Sequence, residues 1–353
     1  MKAARIFLST ISVAAGLDIA VAEDVYNPVP QDDSEPITNE ILRLDAEMRL
    51  DYDHINHGSH TYKPGTGFEG KYLMLRVDGT IVPGLTYSWR QRLNKTTSDF
   101  AGTDWVYLNY DYNRWNFSAG KEVVGIGGFE YDRAPIDLYG SSVFWNNIPC
   151  FKFGATAGYG ITDSDRLSFQ VTESPFVTSG NHDMYGFNLR WNGRHGFFES
   201  IYSANLMEYA EDRFISYLAL GNKFYFGNMW LEFDFMNRAA SHQPFFFKDC
   251  SVMTELSYTK GDSWRIYGKY TYDVNHSGTA ADLVVMDGTE MNMGGAGLEY
   301  FPLKSKRHRL RLHAGCFYYW GKNGNPDNFI QDKTLYISTG VTWDMNILNI
   351  KHK

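Results

Sequence analysis

The residues in this chain best placed to do chemistry are charges, and that chemistry is electrostatic. Lys121 to Cys150, KEVVGIGGFEYDRAPIDLYGSSVFWNNIPC, is a glycine-rich, aromatic stretch set between two strand-like runs, and it carries Lys121, Glu130, Asp132, Arg133 and Asp137. It is the longest connection in the first half of the chain, and a long loop inside a compact fold is usually functional. A second group, Arg49, Arg76, Arg90, Arg92 and Arg311, falls within runs of alternating apolar and polar residues. If those runs are strands of a closed barrel, Arg49, Arg76, Arg90 and Arg311 come to mid-height on one wall. Glu130, Asp132 and Asp137, on a loop folded inward, then stand across from it. Charged walls at the narrowest point of a pore orient and sort solutes by charge. The same charges can instead pair with one another and brace the loop.

Metal and covalent chemistry have weaker claims. Asp51 to His60, DYDHINHGSH, sets His54, His57 and His60 at intervals of three near two aspartates. Such donors suit a transition metal, yet in an exposed loop they read as polar surface. Lys322 to Asn328 is rich in side-chain oxygens, but no Glu closes it at EF-hand spacing. A hydrolytic pair can be picked from Ser141, His182 and Asp183, but no GxSxG elbow supports it. Cys150, Cys250 and Cys316 are too few and too scattered for a disulfide framework. The sequence therefore predicts a protein that is not an enzyme, with no metal and no cofactor.

The elements that hold the charges are strands. In Leu42 to Tyr52 every even position is apolar or aromatic and every odd one is charged. A strand gathers all those charges on one face, whereas a helix would spread them round its surface. Sixteen such runs follow one another, ending with Thr334 to Ile347. Short connections such as Val82-Pro83-Gly84 and Gly227-Asn228 alternate with longer ones, Glu208 to Asp212 counted among the latter. Tight turns at one end and long loops at the other are the mark of an even-stranded transmembrane barrel. One face carries Leu73, Leu75, Val77, Trp89, Phe153 and Trp320; the other carries Arg76, Asp78, Lys152, Glu232, Arg238 and Lys269. The second face implies a wet lumen, since unpaired charge is too costly to bury. Arg213 to Phe226 fails to alternate cleanly, and Gln91 and Thr339 fall on the apolar face, where bulges would explain them.

Composition agrees. The chain has 353 residues, a formal charge of −8 and 16% aromatic residues, as aromatic girdles at two membrane interfaces require. The acidic balance argues against nucleic acid as a partner. No run of 18 apolar residues is present, so a spanning helix is excluded. Residues 1–22, with Lys2 and Arg5 ahead of an apolar stretch and Ala20-Val21-Ala22 at its end, read as a signal peptide; 23–40 read as an extended lead-in, and 41–353 as the barrel.

At Phe117-Ser118-Ala119-Gly120-Lys121, Gly127-Gly128-Phe129-Glu130 and Ala134-Pro135-Ile136-Asp137-Leu138-Tyr139 the chain resembles the phosphate-selective porin O and P family of outer-membrane porins. The resemblance implies an all-β, sixteen-stranded antiparallel barrel with an inward-folded third extracellular loop, in the outer membrane of a Gram-negative bacterium. It implies a homotrimeric channel for small hydrophilic or ionic solutes, anions such as phosphate among them. Two departures stand out: the inward arginines sit among Asp45, Glu47, Asp51 and Asp78, and the chain ends in Lys351-His352-Lys353 rather than an aromatic residue. The alternatives are a plugged barrel acting as receptor or adhesin, and, behind it, a barrel hydrolase.

Overall fold

The computed structural model describes residues 40–95, 102–177, 183–303 and 309–351. The leader, most of the lead-in and His182 lie outside them.

Alternation becomes a single antiparallel sheet closed on itself. Its sixteen long strands are β1 (Glu40–His57), β2 (Gly67–Val82), β3 (Leu85–Arg92), β4 (Thr103–Tyr112), β5 (Trp115–Val123), β6 (Phe151–Gly160), β7 (Asp165–Glu173) and β8 (Tyr185–His195), then β9 (Phe198–Ala210), β10 (Arg213–Phe226), β11 (Met229–Ala240), β12 (Asp249–Lys260), β13 (Trp264–Asn275), β14 (Thr289–Tyr300), β15 (Leu310–Lys322) and β16 (Thr334–Lys351). A two-residue strand, His60–Thr61, folds back on the end of β1. Each long strand pairs with its neighbours in sequence, and β16 closes onto β1 from Glu40 opposite Lys351 to His57 opposite Thr334. Closure removes every free edge, so each backbone polar group of the wall finds a partner within it, as a lipid surrounding demands. Among the described residues no helix is long and apolar enough to cross a membrane.

The outward face is a belt of large apolar groups, with Phe117, Phe153, Leu189 and Trp191 each more than two-fifths exposed. Gln91 lies where the register between β3 and β4 slips, as expected of a bulge. Thr339 has no slip beside it and instead donates its hydroxyl to the His313 carbonyl. Glu208 to Asp212, expected to be a longer loop, is a tight turn: β9 runs to Ala210 and β10 begins at Arg213, with Asp212 left-handed at φ 54°.

The interior departs from a uniformly wet lumen. Met207, Ile215, Tyr217, Met236, Met293 and Phe317 point inward from β9 to β15 and join Val124, Ile126, Tyr131, Tyr139, Val143 and Phe144 of the 124–150 segment in one buried apolar cluster. This accounts for β10. Its odd positions, Ile215, Tyr217 and Ala219, are buried under the segment while the even ones face outward, so both faces are apolar. Alternation fades wherever a strand is covered on both sides.

Candidate functional site

Arginines on the strands arrive with their counter-ions. Residues two apart on a strand share a face, and Arg43 meets Asp45 at 2.5 Å, Arg49 meets Asp51 at 2.7 Å, and Arg76 meets Asp78 at 2.7 Å. Arg90 and Arg92, also two apart on β3, share Asp104 of β4 at 3.0 and 2.7 Å. Aromatic rings back the guanidiniums, with Arg90 3.6 Å from the Trp105 ring centre, Arg49 4.3 Å from that of Tyr139 and Arg92 5.2 Å from that of Tyr72. Each of these arginines therefore sits beside a carboxylate of its own strand or the next.

The segment between β5 and β6 enters the barrel through a neck closed by Val124 N–H donating to the Cys150 carbonyl at 2.9 Å. Gly127 lies so close to β9 that a side chain there would collide with the Ile201 carbonyl and the Ser203 nitrogen, and its N–H donates to Ser203 Oγ at 2.8 Å. A short helix, α1 (Phe129–Asp132), follows, its Glu130 N–H donating to Asp234 at 2.8 Å. The Glu130 carboxylate takes Lys269 at 2.5 Å and Ser142 Oγ at 2.5 Å. Arg133 reaches Glu232 at 2.5 Å and Glu255 at 2.7 Å. Burial works against its charge, but those two carboxylates outweigh it and hold its pKa well above the ordinary guanidinium value. Asp137 pairs with Arg311, and Arg49 donates to the Ile136 and Leu138 carbonyls at 3.1 and 2.9 Å. Gly140 is left-handed at φ 59° and lies against the Phe317 ring, where a side chain would clash. A second short helix, α2 (Val143–Asn147), is capped by Ser142 Oγ, which accepts from Trp145 N–H at 3.0 Å. Asp273 of β13 accepts from its Val143 N–H at 2.8 Å.

These contacts merge into one alternating chain of charge: Lys223, Glu232, Arg133, Glu255, Arg265, Glu299, Arg311 and Asp137, each paired with the next. The acidic loop thus does not stand off across the lumen. Glu130 and Asp137 are pinned to bases on the wall itself, and Asp132, more exposed, takes Arg190 of β8 at 2.6 Å. Lys121 does not join the inward set. Register pairs it with Val106 and Phe153 on the outward face, and its Nζ donates to the Thr103 carbonyl. Its neighbour Glu122 turns inward, accepting from Ser118 and Thr156. Glu122, Glu232, Glu255, Arg265 and Lys269 complete the set that Arg49, Arg76, Arg90, Arg92, Arg311, Glu130, Asp132, Arg133 and Asp137 begin. The alternation placed most of them inward; which of them meets the loop is tertiary information.

The other candidates disperse. His57 bonds the Phe329 carbonyl and stacks on Tyr62, and the described residues include no cluster of three or more potential metal ligands. Asn323 and Asn325 spend side-chain oxygens on the N–H groups of Asn325 and Asp327. Ser141 is buried against Tyr319.

The segment therefore divides the interior. On β9 to β15 it packs against apolar and ion-paired groups that are almost wholly buried, whereas Tyr107, Asn109, Asn116, Ser118, Thr156 and Ser168, inward on β4 to β7, remain half-exposed. Polar side chains line that second side.

Comparison with known proteins follows this geometry. Residues 42–199 match the model of the family described as phosphate-selective porin O and P. Among curated protein sequences no relative matches the chain. Among solved structures, an anion-selective porin from Comamonas acidovorans is similar at a TM-score of 0.63 and 11% identity, over 86% of this chain and 99% of that one. The outer membrane channel DcaP of Acinetobacter baumannii gives 0.62 and 12%, over 86% and 97%. The trimer form of in-vitro folded OmpT, an outer membrane protein of Vibrio cholerae, gives 0.59 and 12%, over 87% and 100%. At such identities the likeness establishes the fold. The whole barrel thus shares the porin fold, and residues 42–199 are similar to the phosphate-selective porin O and P family.

Proposed function

We propose that this protein is a passive diffusion channel in the outer membrane of a Gram-negative bacterium, reached after removal of residues 1–22. Small hydrophilic solutes cross along the half-exposed polar side of the lumen, between the inward segment and β4 to β7, down their own gradients and without turnover. The observation that carries this reading is the partition itself: one side of the interior is filled and ion-paired, the other lined by half-exposed Asn, Ser, Thr and Tyr. Arg76, Arg90, Arg92, Arg49 and Arg311, with Asp132, Arg133 and Asp137 of the inward segment, form the narrowest level. The trimeric state of the similar OmpT supports a homotrimer here. No step of the reading uses a catalytic group.

One observation favours a second reading. The apolar cluster inside the barrel has the character of a plug, which suits a receptor or adhesin. Single-channel recording of the purified protein in a planar bilayer separates the two. Stable open steps are expected; a silent bilayer with verified insertion would support the plugged receptor.

A further inference from the structure

We infer that the loop between β11 and β12 is a membrane anchor, with Phe245, Phe246 and Phe247 seated in the outer leaflet at the boundary between headgroups and acyl chains. The inference rests on the outer-membrane reading and adds a contact to it.

The loop leans outward. Phe233 and Phe235 lie on the outward face of β11, and Asn237 is the next position on that face. Asn237 is nevertheless wholly buried, and so is Cys250, opposite it on β12. The Asn237 side-chain oxygen accepts from Phe247 N–H at 3.0 Å, and its nitrogen donates to the Phe245 carbonyl. The loop is thus folded down over the outside of the wall. It is tied at both ends: Gln243 Oε1 accepts from Ala240 N–H at 2.9 Å, and the Lys248 carbonyl accepts from His276 N–H at 2.6 Å.

Three consecutive rings are displayed as a result. Phe245 meets Phe246 edge-on with 4.7 Å between centres, Phe246 lies 5.8 Å from Phe247, and Phe247 lies 6.0 Å from Phe235 of the wall. Exposure rises along the run, from 42% to 54% to 72%, so the rings protrude as a knob and do not close on themselves. An exposed apolar patch marks contact with a membrane or with another protein.

Two observations choose lipid. The rings continue the apolar belt of β11 past the end of the strand through the contact of Phe247 with Phe235. Packing between membrane-spanning segments favours small residues that let backbones approach, whereas the outward positions nearby are large and exposed: Phe233, Leu256, Tyr258 and Ile266. Lys248, exposed next to the rings, adds a cation suited to headgroup phosphate, the combination found in segments that lie at a membrane surface.

The test places a fluorophore in the loop. In a chain with its three cysteines replaced, Phe246→Cys is labelled with nitrobenzoxadiazole, and the folded barrel is inserted into phosphatidylcholine vesicles carrying a nitroxide near the top of one acyl chain. The same label at Asp327→Cys, exposed on the loop between β15 and β16, is the reference. At 246 the lipid nitroxide is expected to remove about half of the emission, as for groups seated about 5–10 Å into the boundary. Iodide in the water is expected to remove little there, and at 327 the order reverses. If Phe246→Cys does not insert, Phe247→Cys carries the same expectation. Iodide reaching 246 as readily as 327 would overturn the inference, because the loop then stands in water. A label shielded from both quenchers would overturn it too, since a second copy of the chain then covers the rings. Conductance of the same barrels keeps the channel reading separate: open steps with no lipid quenching overturn the anchor alone, and a silent bilayer with strong lipid quenching overturns the channel alone. Failure of every variant and of the unlabelled chain to insert overturns the membrane reading and the anchor with it.

Discussion

An arginine followed two places later by an aspartate on a strand carries its counter-ion with it. Arg43-x-Asp45, Arg49-x-Asp51 and Arg76-x-Asp78 are legible as such in the sequence once period two is accepted. What the sequence does not show is the partner from another element. Arg133 and Glu255 are 122 residues apart, and nothing local to either points to the other. That pair is nevertheless the costlier one to break. Arg133→Met leaves Glu232 and Glu255 sharing Lys223 and Arg265 alone in a buried setting, and a loss of about 3 kcal/mol is expected. Arg190→Met, which breaks the more exposed pair with Asp132, should cost under about 1 kcal/mol. Denaturant midpoints of the two variants in detergent measure the difference; equal midpoints would show that Arg133 does not brace the segment.

At the scale of the element, the strands were readable and the inward segment was readable only as an exception to them. Its length and its glycines mark it in the sequence, but its two short helices are fixed by what they touch. Too brief to be stable alone, α2 depends on Ser142, which accepts from Trp145 N–H while donating to Glu130, and on Asp273 of the wall. Ser142→Ala should weaken that cap by about 1 kcal/mol. Hydrogen exchange followed by mass spectrometry should show faster exchange at 143–147 with the strands unchanged; uniform loosening would mean that the segment and the wall open as one unit. β10 was obscured for the complementary reason. Ile215, Tyr217 and Ala219 face the segment, so the inside of the wall is as apolar there as the outside.

For the whole molecule, fold class, strand number and closure all followed from period-two runs and alternating connections. The uneven filling of the lumen did not, because it depends on where one loop comes to rest. Unevenness is testable through access. In a chain with its three cysteines replaced, Ser118→Cys, on the half-exposed side, should react with a charged methanethiosulfonate reagent and lower conductance. Thr271→Cys, buried on β13 with 1% exposure, should not react. Equal reactivity would mean that water fills both sides alike.

The pairing of Asp137 with Arg311 joins residues 174 positions apart. Synthesis delivers the loop before it delivers β15, and the seam between β1 and β16 can be sewn only after that. For most of its assembly the barrel is an open sheet holding a charged, aromatic segment with nowhere to go. Neither the seam nor the pairing of Asp137 with Arg311 can therefore close before the last strands are in place.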